Sequence, residues 1–295
     1  MLIGDLYAAG SALVWSFALI LMRVAGHQIP PIPLTFFKNF VAFILVVLTL
    51  VVLGEPLFIQ LQPYDYLRLV ISAVLGIAVA DTMIAAAVNR LGASLQALAD
   101  CAYAPSIAFV GFMMFGEILS TWEIIGGIMV LFGVFVGATM TAEIKNPRDL
   151  WVGILLAAGA HIIMALGILM VRDIFRQESL IWVCSFRFLI GAIAMYFYAQ
   201  IRFYGRVKET LFLGFLRPDM WRTIVPMAIL GPFLATLLWI AGFKYLEAGR
   251  AAIFNQLSTV FIIILAYFLL GEKLSRRKVI GVVLAIVGAG LVAAH

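Results

Sequence analysis

The chain has 295 residues, of which 65% are hydrophobic and 12% are charged. Soluble domains are roughly 45–50% apolar and about 25% charged. This composition therefore excludes a water-soluble fold and makes lipid the solvent for most of the chain. The formal net charge of +5 does not imply nucleic acid as a partner, because the basic residues of membrane proteins collect at the cytoplasmic ends of helices.

Apolar segments follow one another along the whole chain, separated by polar or proline-rich connections. A membrane-spanning helix needs about 20 mostly apolar residues. The segments that meet this requirement are residues 4–24, 34–53, 67–88, 93–115, 122–140, 150–171, 180–200, 221–245, 248–270 and 277–294. The expected fold class is an all-α polytopic membrane protein with ten transmembrane helices and a lipid bilayer around it. No sizeable domain outside the membrane is expected.

An internal repeat relates the two halves of the chain. The stretch FGEILSTWEIIGGIMVLFG, which begins at Phe115, resembles LGEKLSRRKVIGVVLAIVG, which begins at Leu270, a shift of 155 residues. Near the front, GDLYAAG at Gly4 aligns with GILLAAG at Gly153, a shift of 149 residues. The shared order of the Gly-Glu, Leu-Ser and Ile-Gly pairs argues against chance matching of small residues.

The repeat predicts two domains, residues 1–143 and residues 144–295, each with five helices. Because five is an odd number, the second half must enter the membrane from the opposite side. Such inverted repeats are the architecture from which many secondary transporters are built.

The repeated segments carry a family resemblance. NRLGASLQAL, APSIAF and FGEILSTWEIIGGIMVLFG resemble the EamA module of the drug/metabolite transporter (DMT) superfamily, and KYLEAGRAAIFNQLSTVFIIILAYFLLGEKLSRRKVIG resembles a second copy of it. The resemblance implies ten helices around a central cavity lined by helices one to four and six to nine, with helices five and ten at the periphery. In one departure, Val260 stands where the first copy has Pro105, so a proline kink is expected only in the fourth helix.

A few ionisable residues fall inside the apolar segments, where an unpartnered charge costs several kcal/mol. They are Asp81, Asp100, Lys38, Arg187 and His161. We predict that the two aspartates take part in substrate binding or in coupling to a cation or proton. The structural alternative is that Asp81 pairs permanently with Lys38 and Asp100 with a backbone or amide donor. Lys38 and Arg187 occupy matched positions near helix ends, where they either snorkel to the interface or bind a substrate carboxylate. His161 could relay protons or simply pack.

Neutral polar and aromatic residues complete the set of candidates for substrate binding or coupling. The amides are Gln96, Asn255 and Gln256, and the aromatic residues are Trp15, Tyr103 and Trp239. Each of these residues could instead have a purely structural role, since amides inside bundles commonly only bridge helices and aromatic residues commonly pack or form interfacial belts.

Two further features are interpreted as scaffold. Glu117 and Glu272 shortly precede the fifth and tenth helices and are expected to cap helix amino ends. The glycines of these two helices, such as Gly126, Gly133 and Gly288, give smooth faces for close packing and offer a contact for a homodimer.

The positive-inside rule and the family resemblance disagree on orientation. Most basic residues lie in the connections that follow the odd-numbered helices, which places both termini outside the cell. The resemblance implies both termini in the cytoplasm. The side of the termini therefore stays open.

The leading hypothesis is a multi-pass inner-membrane secondary transporter that exports a small-molecule substrate, an amino acid or related compound, by alternating access. The chain has no phosphate-binding G-x-x-x-x-G-K-[ST] loop, so energy must come from an ion gradient, such as proton coupling, or from the substrate's own gradient. The alternative is a lipid-linked-sugar flippase or a subunit of one. An integral-membrane enzyme is less favoured, because neither a paired DDxxD nor an H-E-x-x-H motif is present, and no catalytic residue, metal or cofactor is predicted.

Overall fold

A computed structural model describes residues 3–137, 147–270 and 276–294. The first half forms helices α1 (Ile3–Gly26), α2 (Pro31–Leu53), α3 (Pro63–Ala73), α4 (Asp81–Ala99), α5 (Tyr103–Phe115) and α6 (Thr121–Gly137). A π-helical segment (Val74–Ala80) joins α3 to α4, and a 3₁₀ turn (Asp100–Ala102) joins α4 to α5.

The second half is built in the same way. Its helices are α7 (Pro147–Leu169), α8 (Arg172–Gln177), α9 (Leu180–Arg202), α10 (Val207–Leu211), α11 (Trp221–Ala228), α12 (Thr236–Tyr245), α13 (Ala248–Asn255), α14 (Leu257–Leu270) and α15 (Arg276–Ala294). A 3₁₀ turn (Pro218–Met220) precedes α11, and a second π-helical segment (Ile229–Ala235) joins α11 to α12.

Six helical segments of the described part are long and apolar enough to cross a membrane. Two of them are composite, the α3–α4 segment (Pro63–Leu91) and the α11–α12 segment (Pro218–Tyr245). Three shorter apolar helices, Tyr103–Phe115, Thr121–Gly133 and Val279–Val292, accompany them. The described residues contain no strand, and helices are the elements that satisfy their backbone polar groups internally, as lipid requires. The chain is a multi-pass helical membrane protein.

The first helix of each half packs against the third span of the other half. Small residues on α1 and α7 allow this close approach. The contacts come in pairs that the sequence shifts of 149 and 155 residues relate to one another: Gly4 with Leu246 and Gly153 with Leu91, Gly10 with Leu238 and Gly159 with Met83, and Ala18 with Gly231 and Gly167 with Gly76. The two halves therefore interlock instead of standing side by side.

Corresponding helices of the two halves run in opposite directions. Gly26 at the end of α1 lies beside Asn89 at the end of the α3–α4 segment, so α1 runs parallel to that segment. α7 runs antiparallel to it, because Gly153 near the start of α7 meets Leu91 near the segment's end. α1 and α7 thus start at opposite faces of the bundle.

The glycine faces of α6 and α15 contact one another. A Cβ atom added to Gly126 would lie 2.5 Å from the carbonyl oxygen of Gly288, and one added to Gly133 would lie 2.5 Å from that of Gly281. The two helices are therefore antiparallel and packed backbone against backbone. These glycines are scaffold, as expected, but their faces are occupied within the chain and are not free for a homodimer.

Both halves interrupt their helices at matched positions. The π-helical segments end immediately before Asp81 in the first half and before Thr236 in the second, and π-bulges are frequent at functional sites. The fourth span of the first half is interrupted at Asp100–Ala102, and its counterpart in the second half is interrupted at Gln256, between α13 and α14. Neither interruption contains a proline, since Pro105 lies within α5 and Val260 lies within α14.

One predicted helix boundary is placed differently. The backbone of α4 is helical as far as Ala99, but the apolar span that begins at Pro63 ends at Leu91. Leu91 meets Gly153 near the start of α7, whereas Asp100 meets His161 farther along the same helix. The chain therefore turns back between Leu91 and Asp100, as a fourth span requires.

The two faces of the bundle differ in how the halves are tied together. We call the face at which α1 begins and α15 ends the terminal face, and the other the opposite face. In the described ranges, the ion pairs that join an arginine of one half to a carboxylate of the other lie at the terminal face, and they are described below. At the opposite face, Arg217 donates to the Gln28 amide oxygen at 2.8 Å across the halves.

Candidate functional site

A cavity of about 140 Å³ lies in the middle of the bundle, between the two halves. α1, α4, α5, α7, α12 and α13 contribute to its wall, and the interruptions of both fourth spans border it. Eight of the predicted residues line it: Trp15, Asp81, Asp100, Tyr103, His161, Trp239, Asn255 and Gln256. Helix interruptions beside a central cavity are where transporters place backbone and side-chain groups for their solutes.

Asp81 and Lys38 form a buried ion pair at one end of the cavity. The Lys38 ammonium lies 2.5 Å from the Asp81 carboxylate, and Asn39 donates to the same carboxylate oxygen at 3.2 Å. Lys38 is only 3% exposed. It lies about two turns into α2, which begins at Pro31, so snorkelling to the interface is wrong for this residue.

Arg187 lies in a smaller lobe, of about 50 Å³, beside the main cavity. The two spaces share Asp81, Met164, Thr236 and Trp239 in their walls. Arg187 is 4% exposed, so snorkelling is wrong here as well. Lys38 and Arg187, the matched cations of the two halves, are therefore both buried on the side of their helices that faces Asp81.

Asp100 and His161 connect the two halves at the cavity wall. His161 Nε2 lies 2.8 Å from an Asp100 carboxylate oxygen, and its ring packs edge-on against the ring of Tyr103. The Tyr103 hydroxyl in turn accepts a hydrogen bond of 2.7 Å from the Trp239 indole N–H. The imidazole and the carboxylate are both groups that bind protons, and they stand side by side across the two halves.

Two buried amides stand at the interruption between α13 and α14. Neither amide atom of Asn255 has hydrogen-bond geometry with any described group, although the Tyr103 hydroxyl is a neighbour. Gln256 is 2% exposed, and its Nε2 also has no acceptor among the described residues. Buried polar groups are normally hydrogen-bonded, so these amides are donors and acceptors available to a solute or to water.

The remaining candidate, Gln96, lies on α4, but its side chain is outside the described part of the chain. Several residues of the site were not predicted as site residues: Ser11, Asn39, Met164, Thr236 and Ser258. The shift of 155 residues between the halves relates Thr236 to Asp81, and this relation was the signal that could have identified Thr236. Ser11 and Asn39 gave no such signal, since small polar residues are common in transmembrane helix contacts.

A buried arginine closes the terminal face beneath the cavity. Arg172 is 1% exposed, forms an ion pair with Glu117 across the halves, and donates to the carbonyl oxygens of Phe243, at 3.2 Å, and Leu246. The second Glu117 oxygen accepts the backbone N–H of Ala248 at 2.9 Å.

Glu117 therefore caps a helix, but not the expected one. Ala248 begins α13, which belongs to the other half. The start of α6 is capped instead by a reciprocal pair, in which Ser120 donates its backbone N–H to Glu123 at 2.8 Å and accepts that of Glu123 at 3.2 Å, as in a capping box. Glu272, the counterpart of Glu117, lies outside the described residues.

Further ion pairs join the halves at the same face. Arg250 lies 3.0 Å from the fully buried Asp5, and Arg68 donates to Asp173 at 2.8 Å. Burial raises the pKa of the Asp173 carboxyl, but the hydrogen bond and charge of Arg68 outweigh this effect and hold the pKa below its usual value. The cavity is thus separated from the terminal face by charged contacts between the halves.

The described residues do not bring three His, Cys, Asp or Glu side chains together as a metal-ligand group. What the site offers is a set of buried charges, free amides and aromatic walls around an empty space between two halves. A polytopic helical membrane protein with these features belongs to the class of membrane transporters of small molecules.

The model of the EamA-like transporter family matches residues 2–139 and 151–294. The chain therefore belongs to the EamA-like transporter family, within the drug/metabolite transporter superfamily, and members of this family are transporters and not enzymes. A small-molecule substrate follows from membership in this family.

Solved structures share this fold, with 29 chains matching. One of them, a protein crystal structure, superimposes with a TM-score of 0.77 and 18% sequence identity, covering 98% of this chain and 98% of that chain. At this identity the likeness shows the fold alone. Curated proteins compared by sequence give no match.

Proposed function

We propose that the protein is a secondary transporter that exports an amino acid or related small metabolite across the inner membrane by alternating access. In this proposal ten transmembrane helices form two inverted five-helix repeats, residues 1–143 and 144–295, around the central cavity. The observation that carries it is the interlocking of the halves through matched contacts on α1 and α7.

Such an interlocked pair has two near-equivalent packings. When the α1 contacts and the α7 contacts tighten in turn, the cavity opens first to one face and then to the other. The charged contacts at the terminal face, with Arg172 and Glu117 at their centre, support a state that is closed there. In the opposite state these contacts separate and the opposite face closes.

The polarity of the cavity supports a small solute with both charged and apolar parts. Asp100 and the free amides of Asn255 and Gln256 offer partners for an ammonium or a hydroxyl group. Trp15 and Trp239 offer apolar walls. Basic residues concentrated at the opposite face support a cytoplasmic location for that face. The resemblance-based layout of the termini implies the reverse orientation, so the direction is a proposal that labelling must test.

Proton coupling is part of the proposal. Asp100 and His161 are in contact across the halves, so protonation of either one changes how strongly the halves attract each other. Protonation of Asp81 would likewise weaken its ion pair with Lys38. A proton gradient would then drive the exchange of the two packings.

The test is transport by the purified full chain in liposomes, with a panel of amino acids and related metabolites and an imposed pH gradient. At least one solute is expected to move, and its rate to depend on the gradient. If a folded protein, shown by a cooperative thermal transition, moved no solute at any gradient, the proposal would be wrong. Labelling of a cysteine placed at position 295 from each side decides the orientation.

A lipid-linked-sugar flippase is the second candidate, because one observation favours it. An apolar groove of about 150 Å³ runs between α5 and α6 and reaches Gln256, which also lines the central cavity. An apolar groove beside a polar cavity suits a substrate with a polar head and a lipid tail. Scrambling of a fluorescent polyprenyl-phosphate sugar in the same liposomes, without movement of free metabolites, would favour this function.

A further inference from the structure

Arg187 is a buried cation that forms no ion pair with any residue in the described part of the chain. Arg187 is on α9 and is 4% exposed, and its Nε has no hydrogen-bond acceptor among the described groups. Among the described residues, no carboxylate oxygen lies within 4.0 Å of its guanidinium. A charge in mid-membrane is expensive unless a counter-charge, a polar partner or water accompanies it, so this position calls for an anion.

The neighbouring groups do not supply that anion. Asp81 faces the same lobe, but its carboxylate is engaged by Lys38 at 2.5 Å and by Asn39 at 3.2 Å. Cys184, one turn earlier on α9, brings only a thiol. Lys38 and Arg187 thus share a single carboxylate, and one positive charge remains in the lobe.

The guanidinium borders the lobe of about 50 Å³ on one side and packs closely against Gly76 on the other. Gly76 lies in the π-helical segment, and a Cβ atom added to it would come within 3.0 Å of Arg187 Nη2. The lobe adjoins the main cavity, because Met164, Thr236 and Trp239 line both spaces. A solute in the cavity can therefore reach Arg187 with one end while its body stays against apolar side chains.

We propose that Arg187 is the binding site for the carboxylate of an organic solute whose apolar part lies against Trp239 and Met164. The planar guanidinium binds a carboxylate through two parallel hydrogen bonds, which a lysine cannot imitate. The role of this site in transport rests on the function proposed above, but its binding of carboxylates can be measured separately.

The binding test uses 3-phenylpropionate and its neutral amide, 3-phenylpropionamide, at constant ionic strength. Each is titrated into the purified full chain in detergent, and the thermal midpoint is followed, because a ligand that binds the folded state raises it. The carboxylate is expected to bind about tenfold or more tightly than the amide, since hydrogen bonds to charged groups are the stronger ones. If the two probes shift the thermal midpoint of the unmodified protein equally, or if neither shifts it, the proposal is wrong and no variant is needed to decide this.

Three variants locate the effect. Arg187→Gln is expected to lose the preference for the carboxylate, and Arg187→Lys to keep only part of it. Gly76→Ala keeps the charge but crowds the guanidinium, so it should weaken carboxylate binding and keep the protein testable if Arg187→Gln does not fold. Arg222→Gln, an exposed arginine on α11, is the control and should bind as the unmodified chain does. Carboxylate preference retained in both Arg187→Gln and Gly76→Ala would contradict the assignment.

Liposome transport separates this proposal from the preceding one. If carboxylate binding depends on Arg187 but no solute is transported, the binding site stands and the transporter function proposed here fails. If carboxylates are transported equally well by Arg187→Gln, the transport proposal stands and the binding site fails.

Discussion

Glu117→Gln should open the terminal face of the bundle. The Glu117 carboxylate is the charged partner of Arg172 and caps α13, and Arg172 is 1% exposed. Glutamine keeps the shape and an acceptor for the Ala248 N–H, but it removes the negative charge. Hydrogen bonds to charged groups contribute about 1.5–3 kcal/mol and neutral ones about 0.5–1.5, so the closed packing should lose about 1–2 kcal/mol.

A loss of this size is measurable, because it changes the ratio of closed to open states by a factor of roughly 5–30. The reporter is Ser258→Cys in the cavity wall, in a chain whose own Cys101 and Cys184 are replaced by alanine. The rate at which a membrane-impermeant thiol reagent, added at the terminal face, labels this cysteine should rise by that factor in Glu117→Gln.

The control is Asp219→Asn. It removes the partner of Arg217 at the opposite face, where Asp219 is 57% exposed, and surface ion pairs contribute little. Its labelling rate from the terminal face should stay unchanged. If Glu117→Gln folds with a normal thermal transition and labels no faster than the control, Arg172 and Glu117 do not hold this face closed.

The other predictions concern packing, acid and coupling. Gly126→Ala should destabilise the protein by about 1–3 kcal/mol, as overpacking does, because the added Cβ atom would lie 2.5 Å from a backbone oxygen of α15. The control is Gly290→Ala, which has open space around it and should leave the thermal midpoint unchanged or higher. Because contact with Arg68 lowers the pKa of Asp173, the stability that this contact contributes is present above the unfolded-state pKa of an aspartate and is lost as the pH falls through the lower folded-state pKa. Labelling from the terminal face should therefore rise in acid, and Asp173→Asn should remove that part of the rise. Asp100→Asn should abolish the pH dependence of transport, and full, equally pH-dependent transport in this variant would exclude Asp100 as the coupling residue.

The repeat could be located from the amino-acid sequence in detail. The two shifts inferred from glycines and short motifs relate the contact of Gly10 with Leu238 to that of Gly159 with Met83. They also relate the two π-helical segments. The reason is that small residues at a helix crossing cannot be replaced without separating the backbones, so they mark the packing in the sequence itself.

The positions of Lys38 and Arg187 were harder to predict. Both cations stand within about two turns of the start of an apolar segment, where snorkelling is a reasonable expectation. The helices actually begin at Pro31 and Leu180, and both side chains turn toward the bundle interior. Depth and direction depend on how a helix packs against its neighbours, and periodicity in a single helix does not contain that information.

The amino-acid sequence by itself determined the membrane environment, the two halves and the expectation that five helices per half make the repeat inverted. These follow from hydrophobicity, small-residue spacing and the parity of the helix count, which are properties of local sequence. Only the tertiary structure decided that Asp100 meets His161, that Arg172 meets Glu117, and that Arg187 is left without a carboxylate. Partners of this kind lie on different helices, and in Arg187's case the outcome depends on Lys38 having already engaged the carboxylate of Asp81.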